Sequence, residues 1–107
     1  FEAAPFGVTG LETAFAALYT YLVEPGILRL ETLLERMSAG PAAIFRLDRP
    51  RIERGARANL VLLDTARTWR VRAEGFRSRS ANSWLLGKRL RSRIVLTVAA
   101  GRVAFEA

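Results

Sequence analysis

The sequence predicts an α+β chain in which helices come first and short strands follow, as one domain or as two separate modules. Three observations carry this. Apolar residues recur at helical spacing as far as Met37, the period shortens to that of strands after Leu47, and Pro25-Gly26 and Gly40-Pro41 punctuate the helical part. With 107 residues, 50% of them hydrophobic, the chain has room for one domain or for a piece of a larger one. No apolar run approaches the roughly 18 residues of a membrane span, and the apolar content argues against disorder. Cys and His are both absent, which excludes zinc fingers, thiol chemistry, His-based triads and His metal ligands within these residues.

Thr9-Gly10-Leu11-Glu12 reads as a capping box, in which the Thr9 hydroxyl accepts from the amide of residue 12 and Glu12 reaches back to Thr9. Leu11, Phe15, Leu18 and Leu22 then form one helical stripe, and Ala14, Ala16 and Ala17 add propensity and permit close packing. Pro25-Gly26 ends this helix near residues 21–23. A second helix is expected over residues 30–37, with Leu30, Leu33, Leu34 and Met37 on one face. Gly40-Pro41 stops it, and Pro41 suits the first position of a further short helix that carries Ile44 and Phe45 into the core.

Leu60-Val61-Leu62-Leu63, ending at Asp64, is expected as a strand buried on both faces. Thr68 to Val71 reads as a return strand and Ile94 to Ala99 as another. Gly101-Arg102 fits the centre of a type II′ hairpin turn before Val103-Ala104-Phe105. Residues 73–92 are polar, basic and aperiodic, the pattern of a long connecting loop. The chain opens on Phe1, with no basic start and apolar middle of a signal peptide, which leads us to expect a processed or truncated chain.

The formal net charge is +7, and 16 of the 17 basic residues are arginine. Residues 1–45 carry a net −3 and residues 46–69 a net +3, while residues 70–93 hold eight basic side chains against Glu74 alone, a surplus of +7. Such clustering marks either a phosphate-binding face or an arginine-rich surface whose acidic partners lie on another segment or chain. Ser78-Arg79-Ser80 and Arg89-Leu90-Arg91, with Trp69 and Trp84 nearby, offer base stacking and phosphate contacts to a nucleic acid. The same tryptophans serve as anchors clamping the loop to a core, and anchoring is the favoured reading because no nucleic-acid fold signature accompanies them.

Other candidates are sparser. Pro5-Phe6-Gly7 ahead of a helix start is a ligand-loop pattern, since glycine permits close backbone approach and the helix start offers free N–H groups. Glu12 is a carboxylate with general-base capacity already committed to the capping box. Asp48, Glu53 and Asp64 have the chemistry for a divalent ion, but their spacing fits no dedicated loop, and solvated strand-end carboxylates are the favoured reading.

Several of these segments together resemble bacterial dihydroorotases of the amidohydrolase superfamily. Ala4-Pro5-Phe6-Gly7-Val8-Thr9-Gly10-Leu11-Glu12-Thr13-Ala14 resembles the segment after the last barrel strand of that family. Leu33 to Ala42 is similar to its helix ending in Asn-Pro-Ala, and Arg51 to Val61 to the superfamily's Gly-x-Ile-x-x-Gly-x-x-Ala-Asp-Leu-Val. Phe76 to Ser83 and Gly101-Arg102-Val103 match as well. Gly40 stands where the family usually has Asn, Asn59 where it has Asp, and Asn82-Ser83-Trp84-Leu85 where Asn-Thr-Pro-Phe is expected.

The resemblance implies an α/β fold: the C-terminal portion of a (β/α)₈ TIM-like metallohydrolase barrel plus the C-terminal strands of a small β-sandwich module. A barrel of this kind takes roughly 250 residues, so the metal centre and acid/base Asp would lie upstream. Residues 1–48 would be the last barrel loop and outer helices, and residues 49–107 the C-terminal share of the β module, with the basic loop near 73–92. The implied reaction is the interconversion of N-carbamoyl-L-aspartate and L-dihydroorotate in pyrimidine biosynthesis. It would use a zinc pair, in a cytoplasmic homodimer or beside aspartate transcarbamoylase. Phe6 and Gly7 correspond to a backbone pair that binds the dihydropyrimidine ring; no catalytic or metal-ligating residue is expected in this segment. The alternatives are a silent dihydroorotase-like subunit scaffolding aspartate transcarbamoylase and, less favoured, a basic nucleic-acid-binding module. Expressed alone, the chain is expected to fold poorly because helix stripes meant for a barrel would be exposed.

Overall fold

The computed structural model describes residues 6–107; residues 1–5, including Pro5 of the ligand-loop pattern, lie outside the described residues. Helix α1 (Ala14–Leu18) continues without a break into a π-helical turn, Tyr19–Val23. The wider turn has a local cause: the Thr20 hydroxyl lies 2.7 Å from the Ala16 carbonyl, and the Glu24 amide reaches back five residues to Tyr19 at 2.9 Å. Thr20 also accepts the Arg91 amide at 2.8 Å, which ties the bulged helix to the sheet. The helix starts later than the capping motif predicts. Its N-cap is Thr13, with no side-chain cap, and Thr9 and Glu12 bond elsewhere.

Helix α2 (Leu30–Met37) matches the expected span, with Glu31 in its first turn and Arg36 in its last, each sign suited to that end of the helix dipole. Helix α3 (Ala39–Ile44) follows after one residue, so Pro41 sits in the third position, where its missing N–H still falls among the unpaired donors of a first turn. It ends with Arg46 at φ 54°, the Leu47 amide on the Ala42 carbonyl and the Arg46 amide on that of Ala43, a Schellman closure made without glycine. Ile44 and Phe45 are 77% and 72% exposed, contrary to their expected place in the core. Hydrophobicity marks them for burial, but the described residues supply little surface opposite them.

Strands β1 (Leu60–Arg70), β2 (Arg89–Ala99) and β3 (Arg102–Glu106) form an antiparallel sheet in that order. The expected strand and return strand are one bulged strand. Both halves of β1 pair with β2, from Leu60 opposite Val98 to Arg70 opposite Arg89, with the register shifting between Asp64 and Thr68. Asp64 makes the bulge by accepting the amides of Ala66 and Arg67 at 3.0 and 3.1 Å. The β2–β3 turn is centred on Ala100-Gly101, at φ 51° and 79°, and is therefore type I′ and shifted one residue from the predicted II′ turn. Asn59 accepts the Ala100 amide at 2.8 Å, a duty that Asp in the family pattern would perform with the same oxygen.

The core is small: Ala16, Val71, Leu85 and Leu90, with Ala17, Trp69 and Phe76 against it. The apolar run of β1 is not covered on both faces, for Val61 and Leu62 remain 54% and 58% exposed. The molecule exposes 8650 Å², whereas a compact monomer of 11.9 kDa exposes about 6,000 Å². Ile27, Ile44, Phe45, Leu47 and Ile52 are among its exposed large apolar side chains, the mark of surfaces shaped to meet other protein. Among the described residues, no helix is long and apolar enough to cross a membrane.

Candidate functional site

Gly7 adopts φ 70°, a left-handed conformation in which any Cβ is strained, although among the described residues none but its chain neighbours comes within 4 Å of where one would be. The constraint at this position is therefore conformational and not steric. Phe6 beside it is fully exposed. The two expected ligand-loop residues thus project from the molecule on a backbone whose shape glycine permits.

That backbone is held from outside its own segment. The Asn82 side-chain amide donates to the Gly7 carbonyl, the Thr9 amide donates to the Asn82 carbonyl at 2.7 Å, and the Thr9 hydroxyl to the Ser80 carbonyl at 3.1 Å. Ser80 in turn accepts the Asn82 amide through its hydroxyl at 3.1 Å. One turn further on, the Glu12 carboxylate accepts the amides of Arg77 and Ser78, each at 3.0 Å, and the Ser78 hydroxyl at 2.7 Å. The Arg77 amide, then the Ser78 hydroxyl, hold the Glu12 carboxyl below its ordinary 4.5. Glu12 is thus neither a helix cap nor a free base; it is the acceptor that seats the basic loop.

The loop of residues 71–88 is better ordered than its composition predicts. The Val71 amide and carbonyl bond Lys88 and Gly87, Ala73–Gly75 form a 3₁₀ turn, and Leu85 is buried in the core. Trp69 is an anchor as expected, its indole N–H donating to the Ser92 carbonyl at 2.9 Å. Trp84 is not, being 67% exposed. The arginines take up structural work: Arg91 pairs with Glu24 at 2.8 Å and reaches the Thr65 carbonyl, and Arg70 reaches the Gly87 carbonyl. Arg77 stacks on Phe105 and Arg93 on Trp69, at 4.6 and 5.6 Å from the ring centres.

No group of three or more His, Cys, Asp or Glu side chains gathers among the described residues. Asp64 is occupied by its own bulge, and Glu53 pairs with Arg51 at 3.2 Å. An open groove of about 1040 Å³ runs between α1, the sheet and the 72–78 turn, lined by Leu11, Phe15, Trp69, Phe76, Ile94 and Phe105. Phe6 and Gly7 do not border it. Its apolar walls extend the uncovered face described above, and charged residues including Glu12, Arg72, Glu74, Arg93 and Glu106 line it as well.

No family model matches the chain. The fold itself is similar to that of L-hydantoinase (dihydropyrimidinase) from Arthrobacter aurescens, with a TM-score of 0.85 and 34% identity over 96% of this chain and 23% of that one. The chain is thus similar in fold and in sequence to one segment of that enzyme. The curated relatives it matches are dihydroorotases, as the motifs led us to expect. The chain is 38% identical to the dihydroorotase of Pediococcus pentosaceus over 98% of its own length, and 35% identical to that of Clostridium acetobutylicum over 99%. It spans about a quarter of the length of these curated relatives, 25% in each case.

Proposed function

We propose that this chain works as the closing part of a dihydroorotase, the polypeptide as a whole interconverting N-carbamoyl-L-aspartate and L-dihydroorotate in pyrimidine biosynthesis. Residues 1–48 provide the last loop and outer helices of a (β/α)₈ barrel, and residues 49–107 the C-terminal share of a small β module. The observation that carries the reading is similarity to dihydroorotases along 98% of the chain. The exposed apolar side chains support it independently, because outer helices and a half-module of sheet need the rest of such a polypeptide to cover them.

Phe6 and Gly7 are the substrate-contacting residues in this reading, and their contribution is backbone donors and acceptors for the dihydropyrimidine ring. The exposed position of Phe6 and the left-handed turn at Gly7 suit that role. A zinc pair, when bound, supplies a hydroxide nucleophile at neutral pH. This chain, without His or Cys and without a carboxylate cluster among its described residues, does not fit the pair as its ligand set, which is assigned upstream. What these residues do is bind and orient the ring. The test is dihydroorotate hydrolysis and zinc content of the complete polypeptide. Turnover with two bound zinc ions is expected. A stable polypeptide with neither, which still binds aspartate transcarbamoylase, would replace the enzyme by a scaffold.

A further inference from the structure

The loop assigned to the substrate is not self-supporting. Gly7 sits at φ 70°, the described residues on its N-terminal side begin at the exposed Phe6, and the contact that fixes its carbonyl comes from Asn82, 75 positions along the chain. We propose that Asn82 is a positioning residue for substrate binding: its side-chain amide orients the peptide after Gly7, and so the ring-facing groups of Phe6 and Gly7, by holding the Gly7 carbonyl. This rests on the substrate role proposed above for that loop.

Three features argue for a device shaped to this end. Asn82 is itself fixed at both backbone atoms, its amide on the Ser80 hydroxyl and its carbonyl on the Thr9 amide, so the side chain is delivered from a braced residue. A carbonyl oxygen has two lone pairs, so the Asn82 bond leaves Gly7 with acceptor capacity for a ligand. Glu12, carrying Arg77 and Ser78, then locks the far end of the same strip, so the loop and residues 77–82 move as one body. A residue needed only for the β module would have no reason to reach back to the turn at Gly7.

The experiment uses the complete polypeptide with Asn82→Asp, which keeps the shape and removes the donor, and Ser80→Ala, which removes the acceptor of the Asn82 amide and leaves the Asn82 side chain in place. Asn82→Asp is expected to raise KM for dihydroorotate by about fivefold or more, because one neutral hydrogen bond is lost and the new carboxylate repels the Gly7 carbonyl oxygen, with kcat and zinc content within twofold of wild type. Ser80→Ala should move KM in the same direction by less. Hydrogen exchange at Val8 and Thr9 should quicken in both. An unchanged KM in Asn82→Asp, with the wild type active, overturns the proposal and leaves the functional reading standing. A wild type that turns over no dihydroorotate sinks that reading instead. The exchange measurement then decides alone: unchanged rates at Val8 and Thr9 overturn the bracing by Asn82, and faster rates uphold it.

Discussion

Six hydrogen bonds cross between residues 7–12 and residues 77–82, joining segments 65 to 75 positions apart in the chain. Helices α2 and α3 show the contrary pattern: of their apolar residues, Leu33 and Ala42 are buried, while Leu34, Met37 and Ile44 are 41%, 45% and 77% exposed. Polar groups within the first region find partners in the chain itself. The apolar groups of the second find few. Hydrogen bonds are short and directional, so a segment that must hold a shape carries its own partners. Burial needs area, and the described residues offer little of it opposite α2 and α3.

The largest expected effect separates the regions by substitution. Leu90→Ala, in the buried cluster, should cost about 2–5 kcal/mol whether measured in this chain or in the complete polypeptide. Ile44→Ser should cost almost nothing in this chain and about 1.5–3 kcal/mol in the complete polypeptide, where its face is covered. Urea unfolding of both forms gives the numbers. Equal costs for Ile44→Ser in the two contexts would erase the contrast.

A smaller effect lies on β2 opposite the Asp64 bulge. Ser92 is fully buried at φ 71°, and its hydroxyl has no partner among the described residues. Glycine relieves both the left-handed strain and the orphaned group, so Ser92→Gly should stabilise by about 1 kcal/mol in thermal unfolding. A loss of stability would mean that the hydroxyl is satisfied in the complete polypeptide.

The smallest effect concerns pH. Because folding lowers the Glu12 pKa, its contribution is fully present above the ordinary value of 4.5 and is lost as pH falls through the lower, folded one. Exchange at Arg77 and Ser78 should therefore quicken, relative to the β1–β2 amides, as pH falls through that lowered value. Glu12→Gln should flatten that dependence. Because Glu12 is exposed, solvent weakens the effect.

Much of the fold is legible in the sequence because it is local. The span of α2 and the two-residue hairpin before β3 follow from periodicity and turn chemistry alone, as does burial of Phe15, whereas Leu11 and Leu18 of the same expected stripe stay 94% and 36% exposed. What is missed is non-local. Thr9 and Glu12 satisfy a local capping rule, yet their actual partners stand more than 60 positions away, at Ser80, Asn82, Arg77 and Ser78. Asp64 reads as a strand end because its side chain takes two amides of its own strand, a signal shared by turns and bulges. Ile44 and Phe45 read as core because hydropathy records that a side chain wants cover and not where the cover is. At the candidate site, Phe6 and Gly7 are visible through their motif. Asn82 is visible only as a polar residue in a basic loop until the fold brings it to Gly7.

The central claim is that this chain is built against a larger body, with one region complete in itself and the other not. Hydrogen exchange on the isolated chain and on the complete polypeptide tests it most directly. The account predicts that amides of α2 and α3, residues 30–44, gain at least a hundredfold protection in the complete polypeptide, about the 2.7 kcal/mol that one or two newly buried side chains contribute. Amides of the β1–β2 ladder should gain much less. Equal protection of residues 30–44 in both forms would contradict it.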